Sequence, residues 1–63
     1  MPLAHIYLME GRSEEQVQAL IGKVTEAICQ AIDAPAQNVR VVVQEVPKTH
    51  WGIGGETAKA LGR

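Results

Sequence analysis

Leu3-Ala4-His5-Ile6-Tyr7-Leu8-Met9 alternates between two faces, with Leu3, His5, Tyr7 and Met9 on one and Ala4, Ile6 and Leu8 on the other. A period of two is the signature of a β-strand. Glu10-Gly11-Arg12 breaks the run and turns the chain. Ser13 then fits an N-cap, Glu14 and Glu15 suit the positive end of a helix dipole, and Gln16 completes a capping box. Val17, Leu20, Ile21, Val24, Ala27, Ile28, Ala31 and Ile32 follow at helical spacing. Asp33-Ala34-Pro35 ends that helix, because proline cannot continue it. A second strand runs from Val39 to Val46, and Val41, Val42 and Val43 in succession make both of its faces apolar. Two strands bracketing one helix predict an α/β (α+β) unit: a short β-α-β with a parallel strand pair and a right-handed crossover.

A single helix covers only one face of that pair. The other face still carries apolar side chains, and burying it requires another copy of the chain. Length leads to the same expectation. At 63 residues the chain is one small domain, spanning 1–63, in a range where a lone core is marginal. Cys29 is the only cysteine, so no intrachain disulfide can help. One cysteine and two widely separated histidines do not make a structural zinc site. Hydrophobic residues form 46% of the chain, a normal globular share that argues against disorder. Self-association is left as the stabiliser.

Pro47 closes the second strand, and His50-Trp51-Gly52-Ile53-Gly54-Gly55 is too rich in glycine for a helix. It predicts a short hairpin or arm packed on a neighbour, with a terminal helical turn over Glu56 to Leu61. The net charge is −1 with no basic stripe, which gives nucleic-acid binding no support. No segment approaches the length of a membrane span, and Leu3 to Met9 is too short and too interrupted for a signal peptide. The expected location is the cytoplasm.

Chemistry enters at Pro2. Removal of Met1 would turn the Pro2 nitrogen from an amide, which has no useful basicity, into a secondary amine able to shuttle protons. Parallel strands start at one edge, so Pro2 and Arg40 are expected side by side. Arg12 follows the far end of the first strand, about 20–30 Å from Pro2 at roughly 3.3 Å per residue. An arginine cannot span that gap, so Arg12 can serve a Pro2 site only from another subunit. Taken singly, Arg12 also fits a solvated turn, Arg40 a structural salt bridge, and Trp51 a core or interface position.

Five elements in order carry a family resemblance: Pro2 behind a removable methionine, Glu10-Gly11-Arg12-Ser13 followed by Glu15-Gln16, Asp33-Ala34-Pro35, Val39-Arg40-Val41, and His50-Trp51-Gly52-Ile53-Gly54-Gly55-Glu56. From Pro2 to about Lys59, without a gap, the chain resembles the 4-oxalocrotonate tautomerases. The resemblance implies a β-α-β subunit, a homohexamer built as a trimer of dimers, and an amino-terminal proline as general base. It also implies no metal, no organic cofactor, and ketonisation of 2-hydroxymuconate to 2-oxo-3-hexenedioate in bacterial breakdown of aromatic compounds. By position, Pro2 matches the base and Arg12 the arginine that holds the distal carboxylate. Arg40 matches the arginine that binds the 2-oxo acid end and steadies the dienolate oxygen. Trp51 stands where the family usually has phenylalanine, Met9 where leucine is common, and Asn38 where a small polar residue is common. The tail from Thr57 to Arg63 departs more freely.

The implied chemistry is physically coherent. Moving a proton along a conjugated 2-hydroxy acid needs one group that accepts and returns it, and cations where charge builds on oxygen. A proline amine must lose basicity to work near neutrality, and both nearby arginines and an apolar pocket act that way. At an effective dielectric of about 20, one cation about 6 Å away costs the protonated amine about 2.8 kcal/mol. A substrate with a carboxylate at each end accounts for two arginines. Two other readings stand beside this one: hydration or dehalogenation of a haloacrylate-like acid on the same scaffold, and a non-catalytic oligomeric binding module that retains Met1.

Overall fold

The computed structural model describes residues 1–63. Strand β1 (Leu3–Met9) and strand β2 (Arg40–Val46) pair in parallel, in a register that runs from Leu3 opposite Arg40 to Met9 opposite Val46. Helix α1 (Glu14–Ile32) connects them and packs against β2. The capping box is present as expected. Ser13 Oγ accepts from the Gln16 amide at 3.1 Å, and the Ser13 amide donates to Gln16 Oε1 at 3.0 Å. Ser13→Ala is therefore expected to remove about 1 kcal/mol of stability, read as a lower urea midpoint at fixed protein concentration.

The helix stops at Ile32, and Asp33 takes the left-handed conformation (φ 56°, ψ 42°) as its C-cap. An aspartate tolerates that region better than most side chains. The stop thus precedes Pro35, which opens a short 3-10 turn over Ala36–Asn38. This turn uses up Val39, so β2 begins one residue later than the valine pattern suggests.

A second 3-10 turn, Lys48–His50, leads into the expected hairpin of β3 (Gly52–Ile53) and β4 (Glu56–Thr57). Its two central residues, Gly54 and Gly55, have φ of 62° and 92°. Positive φ at both positions is what a tight type I′ hairpin turn demands. Glu56 and Thr57 are therefore strand, and the helical turn expected over Glu56 to Leu61 shrinks to a final loop closed by the Leu61 amide on the Thr57 carbonyl at 3.1 Å.

Ala4, Ile6 and Leu8 of β1, with Val41 and Val43 of β2, form the half-buried side of the sheet. On the opposite side Leu3, Tyr7 and Val42 are 64%, 56% and 43% exposed. His5 lies among them, its ring stacked on Tyr7 with centroids 4.6 Å apart and its Nε2–H donating to Gln44 Oε1 at 3.1 Å. Only Val39 and Ala58 are buried in the protomer. Its radius of gyration is 14.5 Å, against about 11 Å for a compact chain of this length. Such a subunit has little core of its own, and its apolar surface is on offer to other chains.

Candidate active site

The parallel register settles where the head of each strand lies. The Arg40 amide donates to the Pro2 carbonyl at 3.0 Å, placing Pro2 and Arg40 at one edge of the sheet as expected. The 3-10 turn before β2 then orients the arginine. Arg40 Nη1 donates to the Gln37 carbonyl at 2.8 Å and lies 3.5 Å from the Val39 carbonyl. Asn38 sits in the same turn, its amide donating to the Pro35 carbonyl at 3.0 Å. Pro2, Asn38 and Arg40 are thus gathered by a few backbone hydrogen bonds. Gln37 is the participant that the sequence does not advertise, since it acts through its main-chain carbonyl and any residue there could do so.

Met9 and Arg12 lie at the other end. Met9 closes β1 opposite Val46, and Arg12 follows Gly11, whose φ is 116°. The Glu10 amide donates to the Val46 carbonyl at 2.9 Å and ties this turn to the end of β2. The length of β1, about 20 Å for its seven residues at about 3.3 Å each, separates the two groups. Trp51 is half-buried between the second 3-10 turn and the hairpin, its carbonyl accepting from the Ala58 amide at 2.7 Å. Within one protomer, Pro2, Asn38 and Arg40 form one cluster, and Met9 and Arg12 a second.

Arg12 lines three separate surface depressions. One is bounded by Glu14, Val17, Gln18, Ile21 and Glu45, and another by Leu8, Gln16, Val17 and Leu20. The third brings in Lys48 and Arg63, which no sequence motif singles out. None of the three reaches Pro2 or Arg40.

The family model described as tautomerase enzyme matches residues 2–61. The chain belongs to the tautomerase family. A 2-hydroxymuconate tautomerase of Comamonas testosteroni is 59% identical over 63 residues, the full length of both chains. A 4-oxalocrotonate tautomerase isozyme of Methylibium petroleiphilum shares the fold with a TM-score of 0.95 at 61% identity, over 98% of this chain and 100% of that one. A heterohexameric 4-oxalocrotonate tautomerase from Chloroflexus aurantiacus matches with a TM-score of 0.92 at 43% identity, covering 97% and 98% of the two chains. The tautomerase fold, with its β-α-β unit and carboxy-terminal hairpin, and isomerase activity of the keto–enol type are therefore properties of this chain. These relatives favour neither the hydratase and dehalogenase reading nor the binding module. Structural neighbours within the family are oligomeric. No helix is long and apolar enough to cross a membrane.

Proposed function

We propose that this tautomerase ketonises 2-hydroxymuconate-like dienol dicarboxylates to conjugated 2-oxo-3-enoates, without a cofactor, using amino-terminal Pro2 as base and then acid. The observation that carries the reading is the pairing of Pro2 with Arg40 at one sheet edge, through the 3.0 Å bond between the Arg40 amide and the Pro2 carbonyl. Met1 is 84% exposed, which suits its removal to free the amine. The Pro2 nitrogen takes the proton of the 2-hydroxyl, the electron pairs shift along the diene, and the proton is returned to C5. No atom is gained or lost. Negative charge on the 2-oxygen is greatest midway, and a guanidinium placed there lowers the barrier. Arg40 has that role.

Arg12 holds the distal carboxylate from a neighbouring subunit, and Trp51, Met9 and Asn38 line the pocket. The site is complete only in an assembly, a homohexamer arranged as a trimer of dimers. The nearly coreless protomer supports this, with Leu3, Tyr7 and Val42 open on one sheet face. A single domain over 1–63 and a cytoplasmic location belong to the same proposal.

Ultraviolet-monitored ketonisation of 2-hydroxymuconate, by protein whose intact mass shows loss of Met1, tests the reading. Rapid turnover supports it, and negligible turnover by the processed protein refutes it. Arg12→Ala is expected to raise KM on the order of 10- to 100-fold with a smaller change in kcat, since it removes a charge-assisted grip on a carboxylate. Co-refolding of Pro2→Ala and Arg12→Ala chains should then restore part of the activity, because some sites receive both intact residues. Mixed oligomers with no recovery would place Arg12 outside the composite site.

A further inference from the structure

The tail returns to the turn that follows β1, and in doing so concentrates positive charge. Gly62, at φ 73°, reverses the chain so that the Arg63 amide reaches the Ala58 carbonyl at 2.9 Å. The Lys59 amide donates to the Lys48 carbonyl at 3.2 Å, which fastens the tail to the second 3-10 turn. These bonds, with the Glu10–Val46 bond, bring three segments distant in sequence around one depression lined by Met9, Glu10, Gly11, Arg12, Lys48 and Arg63. Its lining residues carry three cationic side chains and one carboxylate side chain, that of Glu10. Arg12, Lys48 and Arg63 are all exposed and take no part in any side-chain hydrogen bond of the chain. Exposed cations with free donors around one depression can receive an anion.

We propose that Lys48 and Arg63 form, with Arg12, a cationic cup that receives the distal carboxylate and selects dicarboxylates over monocarboxylates. The inference rests on the dicarboxylate reading above and adds two residues to it. Arg12 supplies the grip, while Lys48 and Arg63 set how strongly a second negative charge is rewarded. In a water-like dielectric, a unit charge about 6 Å from a carboxylate changes binding about threefold. Removing both charges is therefore worth about tenfold, most visible at low ionic strength.

The test compares the Lys48→Gln/Arg63→Gln double variant with the unaltered protein on two substrates at low salt. One is 2-hydroxymuconate, and the other is 2-hydroxy-2,4-pentadienoate, the same dienol without the distal carboxylate. The expected result is an approximately tenfold fall in the ratio of their kcat/KM values, carried by a higher KM for the dicarboxylate and reduced by added salt. Calorimetric binding of cis,cis-muconate, which lacks the 2-hydroxyl and cannot ketonise, should weaken in parallel. Equal effects on both substrates, no effect on either, or a loss confined to kcat would overturn the cup. If the unaltered protein does not turn over 2-hydroxymuconate, the proposed function fails, and muconate binding still judges the cup by itself.

Discussion

Pro2→Ala is expected to lower kcat for ketonisation by about a hundredfold to ten-thousandfold, the usual worth of a positioned acid–base group, while the assembly stays intact. The replacement leaves a primary amine at the chain end, so the loss measures the secondary amine and its placement rather than the mere presence of nitrogen. Sedimentation of the variant checks assembly, and an unchanged inhibition constant for muconate checks that the pocket survives. Pro2 also contributes its carbonyl to the Arg40 amide, and alanine keeps that bond. A variant of native size with full activity would remove Pro2 as the base. Retention of Met1 provides a second route to the same loss, because it acylates the nitrogen without altering any side chain of the site.

Arg40→Gln is expected to lower kcat by about a hundredfold to a thousandfold, comparable to deleting an oxyanion-stabilising donor, with a smaller rise in KM. The two arginines thereby separate in kinetics. In the proposed site Arg12 faces a carboxylate whose charge is the same before and during reaction, so its loss falls on binding. In the same proposal Arg40 faces an oxygen whose charge grows, so its loss falls on turnover. The bond from Arg40 Nη1 to the Gln37 carbonyl orients the guanidinium in the free protomer. Lysine at this position would keep the charge without the planar fork, and a partial recovery of kcat in Arg40→Lys would show how much of the effect is charge alone.

Much of this arrangement is legible in the chain. Alternation in Leu3–Met9, the Ser13–Gln16 capping box and the paired glycines of the hairpin each state a local backbone requirement, and the structure meets all three. The meeting of Pro2 with Arg40 follows from topology, since a parallel pair has one starting edge. Features that depend on a few local bonds escape such reading. The 3-10 turns at Ala36–Asn38 and Lys48–His50 are too short to impose a period. Asp33 stops the helix ahead of the proline that seems to do so, by a left-handed cap available to several residue types. Glu56 to Leu61 suits a helical turn by its alanines, lysine and leucine, yet the glycine turn before it commits Glu56 and Thr57 to a strand. Lys48 and Arg63 line one depression because Gly62 folds the tail back, and no spacing between them signals it. The separation of Arg12 from Pro2 is equally readable from strand length, whereas the neighbour that the proposed composite site requires belongs to another chain.

The open sheet face with Leu3, Tyr7 and Val42 has a hereditary consequence in the proposed homohexamer. Where that face meets its own copy across a two-fold axis, the same patch supplies both sides, so one altered codon changes a surface and its complement in a single step. A small mismatch is then repeated at every equivalent contact of the particle, and no separate gene exists in which a compensating change can arise. In such a contact, variation on that face is filtered more severely than on the solvent side of α1. Gene duplication would relax the filter, because one copy could drift while the other preserved the shape it must fit.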